Sequence, residues 1–299
     1  MQRRFGIRFG SAARAKTLLL LQVILPVFFA HVTLADTTKT QNYYGSMFYA
    51  LVGQGNSEQL KEEIKHILRG GHITTSGFDK IVDQCLGEPN CYQHTVIGYN
   101  AARVFLLGNY YLVQNGNSYA VTEVYCSRNV DASEFPQGEQ PGPNKIPANT
   151  VVNVEHTWPQ SRFSPNFPKE TQKSDLHHLY PTDSKMNSTR GSFKFGEVVK
   201  DKAGIKCSES RFGNPQDSTE LVFQPPPEHR GNVARALFYF SLKYNLKISP
   251  DEESVLRKWD TEDPVNDEDV RRNNAVFAAQ KSRNPFVDNP GLAAKISDF

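Results

Sequence analysis

The sequence predicts an α+β fold, a mostly helical periphery around a short β centre, on three observations. Apolar residues recur every three or four positions near both ends of the chain, the pattern of helices that bury one face. Asn115-Gly116 separates two runs rich in β-branched and aromatic residues, a strong hairpin signal. Residues 151–191 read strand, loop, strand, helix. Helices thus stand before and after the strands instead of alternating with them, which favours α+β.

The elements begin after a leader. Arg3, Arg4, Arg8, Arg14 and Lys16 precede an apolar run from Leu18 to Ala30, and Thr33-Leu34-Ala35 offers a small-residue cleavage site. This is the layout of a secretory signal over residues 1–35. The run is shorter than the ~20 residues a spanning helix needs, so the expectation is an exported protein, periplasmic or extracellular, and not one retained by an anchor. The leader holds five of the 34 Lys and Arg and none of the 32 Asp and Glu, so the remainder carries a formal −3 instead of +2. Global charge therefore does not mark a nucleic-acid binder; a polyanion would have to meet a local basic face or bound cations. Residues 36–299 suit one compact domain, with no repeat and no linker of changed composition. Cys85, Cys91, Cys126 and Cys207 are an even number in an exported chain, which favours two disulfides over thiol chemistry. Three pairings are possible. The short interval favours Cys85 with Cys91, leaving Cys126 with Cys207, and the absence of C-x-x-C argues against a zinc ribbon.

In chain order, Asn56 or Ser57 caps a helix carrying Leu60, Ile64, Ile67 and Leu68, stopped by Gly70-Gly71. Ser76 with Asp79 opens a second around Phe78, Ile81 and Val82, and a third covers Val96 to Leu107, ending at Gly108. After the hairpin, Ser127 to Asn149 is rich in Pro, Gly, Asn and acids and reads as a long surface loop. "VVNVEHTWP" is a strand that ends at its proline, and "DLHHLYP" a second short strand. Thr182 or Asp183 caps a short helix that Gly191 stops. Beyond "PPPEHR", a helix from about Asn232 to Tyr244 sets Val233, Leu237 and Phe240 on one face. Ser249-Pro250-Asp251-Glu252 forms a capping box with proline at the first helical position, and Asp263-Pro264 starts a last helix with Val270, Val276 and Phe277.

The strand–loop–strand–helix unit places His156 at the end of the first strand and Asn187 on the helix facing back. That suits phosphodiester hydrolysis, which needs a base to deprotonate water and a hard cation to offset charge on the phosphate and the leaving oxygen. Asn187 and Glu155 are oxygen donors of the kind Mg²⁺ accepts. Strand neighbours point to opposite faces, so Glu155 and His156 share a pocket only if the strand distorts, which makes Asn187 the better ligand.

"NVEHTWPQSRF", "SDLHHLYPTDSKMNSTRGSFKFGEV", "RGNVARALFYFSLKY" and "RNPFVDNP" together closely resemble the bacterial endonuclease I family, exported nucleases built on a ββα-metal (His-Me) finger. With "YY" near Tyr43 and "VTEVYC" ending at Cys126, the resemblance covers Tyr43 to Pro290. It implies that His156 is the general base and that Glu155 and Asn187 bind the divalent cation, Mg²⁺ with Mn²⁺ or Ca²⁺ substituting. It also implies cleavage of DNA, and of RNA, with little sequence preference, leaving 5′-phosphate ends. The sequence departs from the family pattern at Val154, where an arginine is frequent, at Asn232, where an aspartate is usual, and at "VDNP". Some relatives carry a phosphate-binding arginine in a longer loop between the two strands; here that interval holds Arg162, Lys169 and Lys173.

The remaining candidates are weighed one by one. Arg190, Arg162 and Arg235 are candidates for substrate phosphate through forked hydrogen bonds, though each could be a structural ion-pair partner. Strand alternation sends His177 and His178 to opposite sides, so at most one approaches the site. Asp175 orients a backbone turn, and Trp158 packs under the strand end. A monomer is the default. Two other functions compete: a zinc hydrolase using His156, His177 and His178, which lacks H-E-x-x-H, and a non-catalytic exported DNA-binding protein.

Overall fold

The computed structural model describes residues 40–299, so the leader lies outside the described residues. Helix α1 (Gly45–Gln54) leads into α2 (Ser57–Arg69), whose first turn is capped by the Asn56 side chain accepting from the Gln59 backbone N–H. Leu60, Ile64, Ile67 and Leu68 form its buried stripe, as their spacing predicts. The second predicted helix is a strand. Lys80–Val82 (β2) pairs antiparallel with Gly71–Ile73 (β1), which also pairs with Cys91–Gln93 (β3). The Ser76-to-Asp79 box does not form because the Asp79 carboxylate accepts from the Tyr92 hydroxyl across this small sheet.

Helix α3 is Tyr99–Phe105, shorter than expected, and a π-helical turn, Leu106–Tyr110, continues it past Gly108. Gly108 is there for close approach. A Cβ on it would lie 2.6 Å from the Lys145 carbonyl oxygen, and its own carbonyl accepts from Asn144. The hairpin is present as β4 (Leu112–Asn115) and β5 (Ser118–Glu123), with Gly116 at φ 59°. The segment predicted as loop supplies a third strand to it, β6 (Arg128–Asp131), whose Val130 is buried against β5 Val121.

Strands β7 (Val152–His156) and β8 (Leu179–Asp183) form the central two-stranded ladder, and α4 (Lys169–Lys173) and a 3₁₀ turn (Leu176–His178) lie between them. Helix α5 (Ser184–Arg190) follows directly. A four-stranded sheet runs β10–β11–β12–β9 over Lys200–Asp201, Arg211–Asn214, Val222–Gln224 and Lys194–Phe195. Helices α6 (Pro227–Tyr244), α7 (Pro250–Glu262), α8 (Asp267–Gln280) and α9 (Pro285–Asp288) close the fold.

Helix α6 differs most from its amphipathic expectation: it is buried on all sides, because α2, α7, α9 and the 3₁₀ turn all pack on it. Helix α7 has Ser249 and Pro250 at its start, yet the capping box is absent. Its Glu252 instead accepts from the Phe195 backbone N–H at 3.0 Å. Helix α8 begins later than Pro264, at a box formed by Asn266 and Asp269. One apolar core surrounds α6, and a second joins α3 and β5 to the ladder through Val121, Val152, Leu176 and Leu179. The disulfides are Cys85–Cys91 and Cys126–Cys207, and among the described residues no helix is long and apolar enough to cross a membrane.

Candidate active site

The ladder, α3 and α5 meet at a pocket of about 420 Å³ whose lining includes Glu155, His156, Asn153, Asn187 and Arg190. Its position follows from local rules. Antiparallel register pairs Val152 with Asp183 and His156 with Leu179, so the strand end carrying His156 lies where the chain enters β8. Asp183 ends β8 and caps α5 at once, accepting from the Lys185 and Met186 backbone N–H groups. Gly191, at φ 52°, ends that helix after two turns. The helix therefore lies back across β7.

Alternation along β7 sets Asn153 and Glu155 on the face toward α5. Asn187 Nδ2 donates to Asn153 Oδ1 at 2.7 Å, and the Arg190 guanidinium is 2.9 Å from Glu155 Oε1. The same oxygen accepts from the Tyr125 hydroxyl at 2.9 Å. Burial pushes the Glu155 carboxyl up, against the lowering effects of Arg190 and Tyr125.

His156 turns the other way. Its Nε2 is 3.2 Å from the Lys173 carbonyl oxygen, so this nitrogen carries the proton, and Nδ1 is left to accept, 3.4 Å from Gln160 Nε2. Rings of Tyr99, His178 and Phe163 surround it at 5.3, 5.4 and 6.1 Å. Burial, with the neighbouring His178, holds its pKa well below the ordinary value, so the ring is neutral at neutral pH. The strand does not distort. His156 is its last residue, and the pocket wraps the strand end so that both faces line it.

The donor set suits a hard cation. Tyr125 and Arg190 use Oε1 of Glu155, and Asn187 donates through Nδ2. Oε2 of Glu155 and Oδ1 of Asn187 have no hydrogen-bond partner among the described residues. One carboxylate and one or two amide oxygens are what Mg²⁺ accepts while keeping its waters. Among the described residues no three His, Cys, Asp or Glu side chains form a metal-binding group.

The other sequence candidates scatter. His177 and His178 lie in the 3₁₀ turn and not on a strand: His178 faces His156 and has Nε2 2.8 Å from the Gln172 carbonyl, while His177 Nε2 meets the Ser282 carbonyl at 3.0 Å. The three histidines proposed for zinc thus do not converge. Asp175 is fully buried, 2.8 Å from Lys243 Nζ, and accepts from Tyr239, Tyr244 and Gln280; burial raises its pKa, but Lys243 and neighbouring histidines outweigh this and hold it well below the usual range. Trp158 stacks on Phe240. Asn153 and Tyr125 escaped the sequence reading. For Asn153 the signal was available, two residues before Glu155 on the same strand face.

Residues 88–291 match the Endonuclease I family profile. The extracellular ribonucleases of Bacillus subtilis (strain 168) and Bacillus amyloliquefaciens are 32% and 34% identical, each match covering 48% of this chain and 53% of the relative. An extracellular deoxyribonuclease of Aeromonas hydrophila is 29% identical over 39% of this chain and 49% of its own length. The chain spans about half the length of these curated relatives. With the profile covering most of the sequence and the ladder, α5 and α6 all inside it, the chain belongs to the endonuclease I family.

Proposed function

We propose that the chain is an exported, metal-dependent endonuclease that hydrolyses the phosphodiester bonds of DNA and RNA with little sequence preference, leaving 5′-phosphate ends. The observation that carries the reading is one pocket lined both by a neutral histidine whose Nδ1 is the unprotonated, accepting nitrogen and by the oxygen donors Glu155 and Asn187. Relatives named as ribonucleases and as a deoxyribonuclease support both substrates. The names of extracellular relatives and two disulfides support export.

In this reading Lys173 holds His156 by its carbonyl, and Nδ1 takes a proton from water. The water oxygen attacks phosphorus and the 3′ oxygen leaves, which keeps the phosphate on the 5′ side. Asn187 and Glu155 would hold a divalent cation, Mg²⁺ or its substitutes Mn²⁺ and Ca²⁺, which when bound would supply positive charge to offset that of the transition state. Arg190 and Tyr125 fix the Glu155 carboxylate. Backbone contacts carry no sequence information directly, so cleavage is non-specific and salt-sensitive.

The test is digestion of supercoiled plasmid and of RNA in Mg²⁺ or chelator, by the wild type and by His156→Ala. Loss of a general base lowers turnover by roughly 10²–10⁴-fold. Cleavage that survives in chelator, or in a folded His156→Ala protein at full rate, would overturn the assignment. DNA bound but never cut would favour a non-catalytic binder.

A further inference from the structure

The three arginines offered by the sequence for the substrate phosphate all have other partners. Arg190 is buried on Glu155 and on the carbonyls of His156 and Thr157. Arg162 lies over Trp158 and pairs with Glu252. Arg235 is buried between Asp260 and Asp269. Neither Arg162 nor Arg235 lines the pocket.

Arg103 does line it, and sequence reading had passed it over. It projects half-buried from α3 and has neither a hydrogen bond nor an ion pair among the described residues. Its guanidinium lies over the Tyr99 ring, 5.9 Å from the centroid, one helical turn back. The Lys173 ammonium stands 4.4 Å from the same centroid and also has no carboxylate partner among the described residues. The ring itself is 5.3 Å from that of His156. The nearby acid, Glu170, is turned to the Tyr99 backbone N–H at 2.6 Å. Two cations on one tyrosine without an acid between them repel each other, and a bound anion relieves that repulsion. Tyr99 restrains the guanidinium without occupying its donors, so the fork stays free for phosphate oxygens.

We propose that Arg103 is the phosphate-binding residue of this pocket, presenting its fork to the non-bridging oxygens of the phosphodiester beside His156. The inference rests on the nuclease reading above. It assigns the phosphate contact to a helix more than a strand's length away in sequence, not to the interval between β7 and β8.

The test compares wild type, Arg103→Ala and Arg103→Lys on one short oligonucleotide, by kcat/KM across a salt series and by binding of the same oligonucleotide in chelator. Losing a charge-assisted contact lowers kcat/KM roughly 10- to 100-fold. The log–log salt slope becomes shallower by about 0.7–0.9. Arg103→Lys keeps the slope and recovers only part of the rate. An active wild type with unchanged rate, slope and binding in Arg103→Ala overturns the inference alone; an inactive wild type overturns the nuclease reading. Should Arg103→Ala fail to fold, Arg103→Gln, which keeps the stem on Tyr99, gives the same readings.

Discussion

At the scale of single residues, Glu155 depends on its counter-ion. Arg190 and Glu155 are each at most 2% exposed and 2.9 Å apart, so removing one partner leaves the other in a medium that disfavours charge. Arg190→Met is expected to destabilise the fold by about 3–5 kcal/mol, read from urea midpoints; a change below about 1 kcal/mol would place the pair in the class of weak surface bridges. Asn187→Ala is expected to reduce activity and to raise the Mg²⁺ concentration at half-maximal rate, and an unchanged metal titration would remove it from the ligand set. Glu155, His156 and Asn187 were legible because a short, local segment sets their geometry. Arg103 was not, because its relevance comes from α3 packing beside His156, a contact that no motif encodes.

Among the elements, α5 is the one on which the site turns, and Asp183 decides it. Its carboxylate caps the helix and pairs with Lys206, while its backbone N–H donates to Glu123. Asp183→Asn keeps an acceptor for the cap and loses the ion pair, whereas Asp183→Ala loses both. The alanine variant is therefore expected to be less stable than the asparagine one by about 0.5–2 kcal/mol, the worth of a cap; equal thermal midpoints would show that the cap contributes nothing. This cap was readable in advance, as were the hairpin and the stripe of α2, since each depends on neighbours in sequence. Strand β2 was misread because three residues with two apolar side chains fit either period, and pairing with β1 made the choice. Strand β6 hid in a polar segment for the same reason: β5 recruits it.

Across the whole molecule, buried histidines set the response to acid. Burial is the main cause that holds His72 and His178 to about 4 and His177 and His229 to about 3. The unfolded chain takes up these protons near pH 6.5, and the folded one only near 3 to 4. Protons therefore favour unfolding, and stability falls as pH drops below about 6.5, by up to about 1.4 kcal/mol per histidine per unit. Urea midpoints at pH 7 and pH 5 check this; equal midpoints would contradict it. The Cys126–Cys207 link, 81 residues apart, restrains the unfolded chain by roughly 4–5 kcal/mol in the loop-entropy account. Replacing Cys126 and Cys207 together by serine, which leaves Cys85–Cys91 intact, is expected to lower stability by about that much, measured under the same denaturant.

Helix α6 carries one more consequence. Fourteen of its eighteen residues are buried, with glycine at 231 where a Cβ would fall 2.0 Å from the Asp263 carbonyl oxygen. A typical helix leaves half its surface free to drift, and α6 leaves almost none. Substitutions along it are therefore coupled to partners on several neighbouring elements at once, so it can change only in concert with them. The exposed stretch near 215–220, outside every element, can lengthen or shorten at little cost. Variation in this chain is expected to gather there, while α6 acts as the register against which the rest of the molecule is kept.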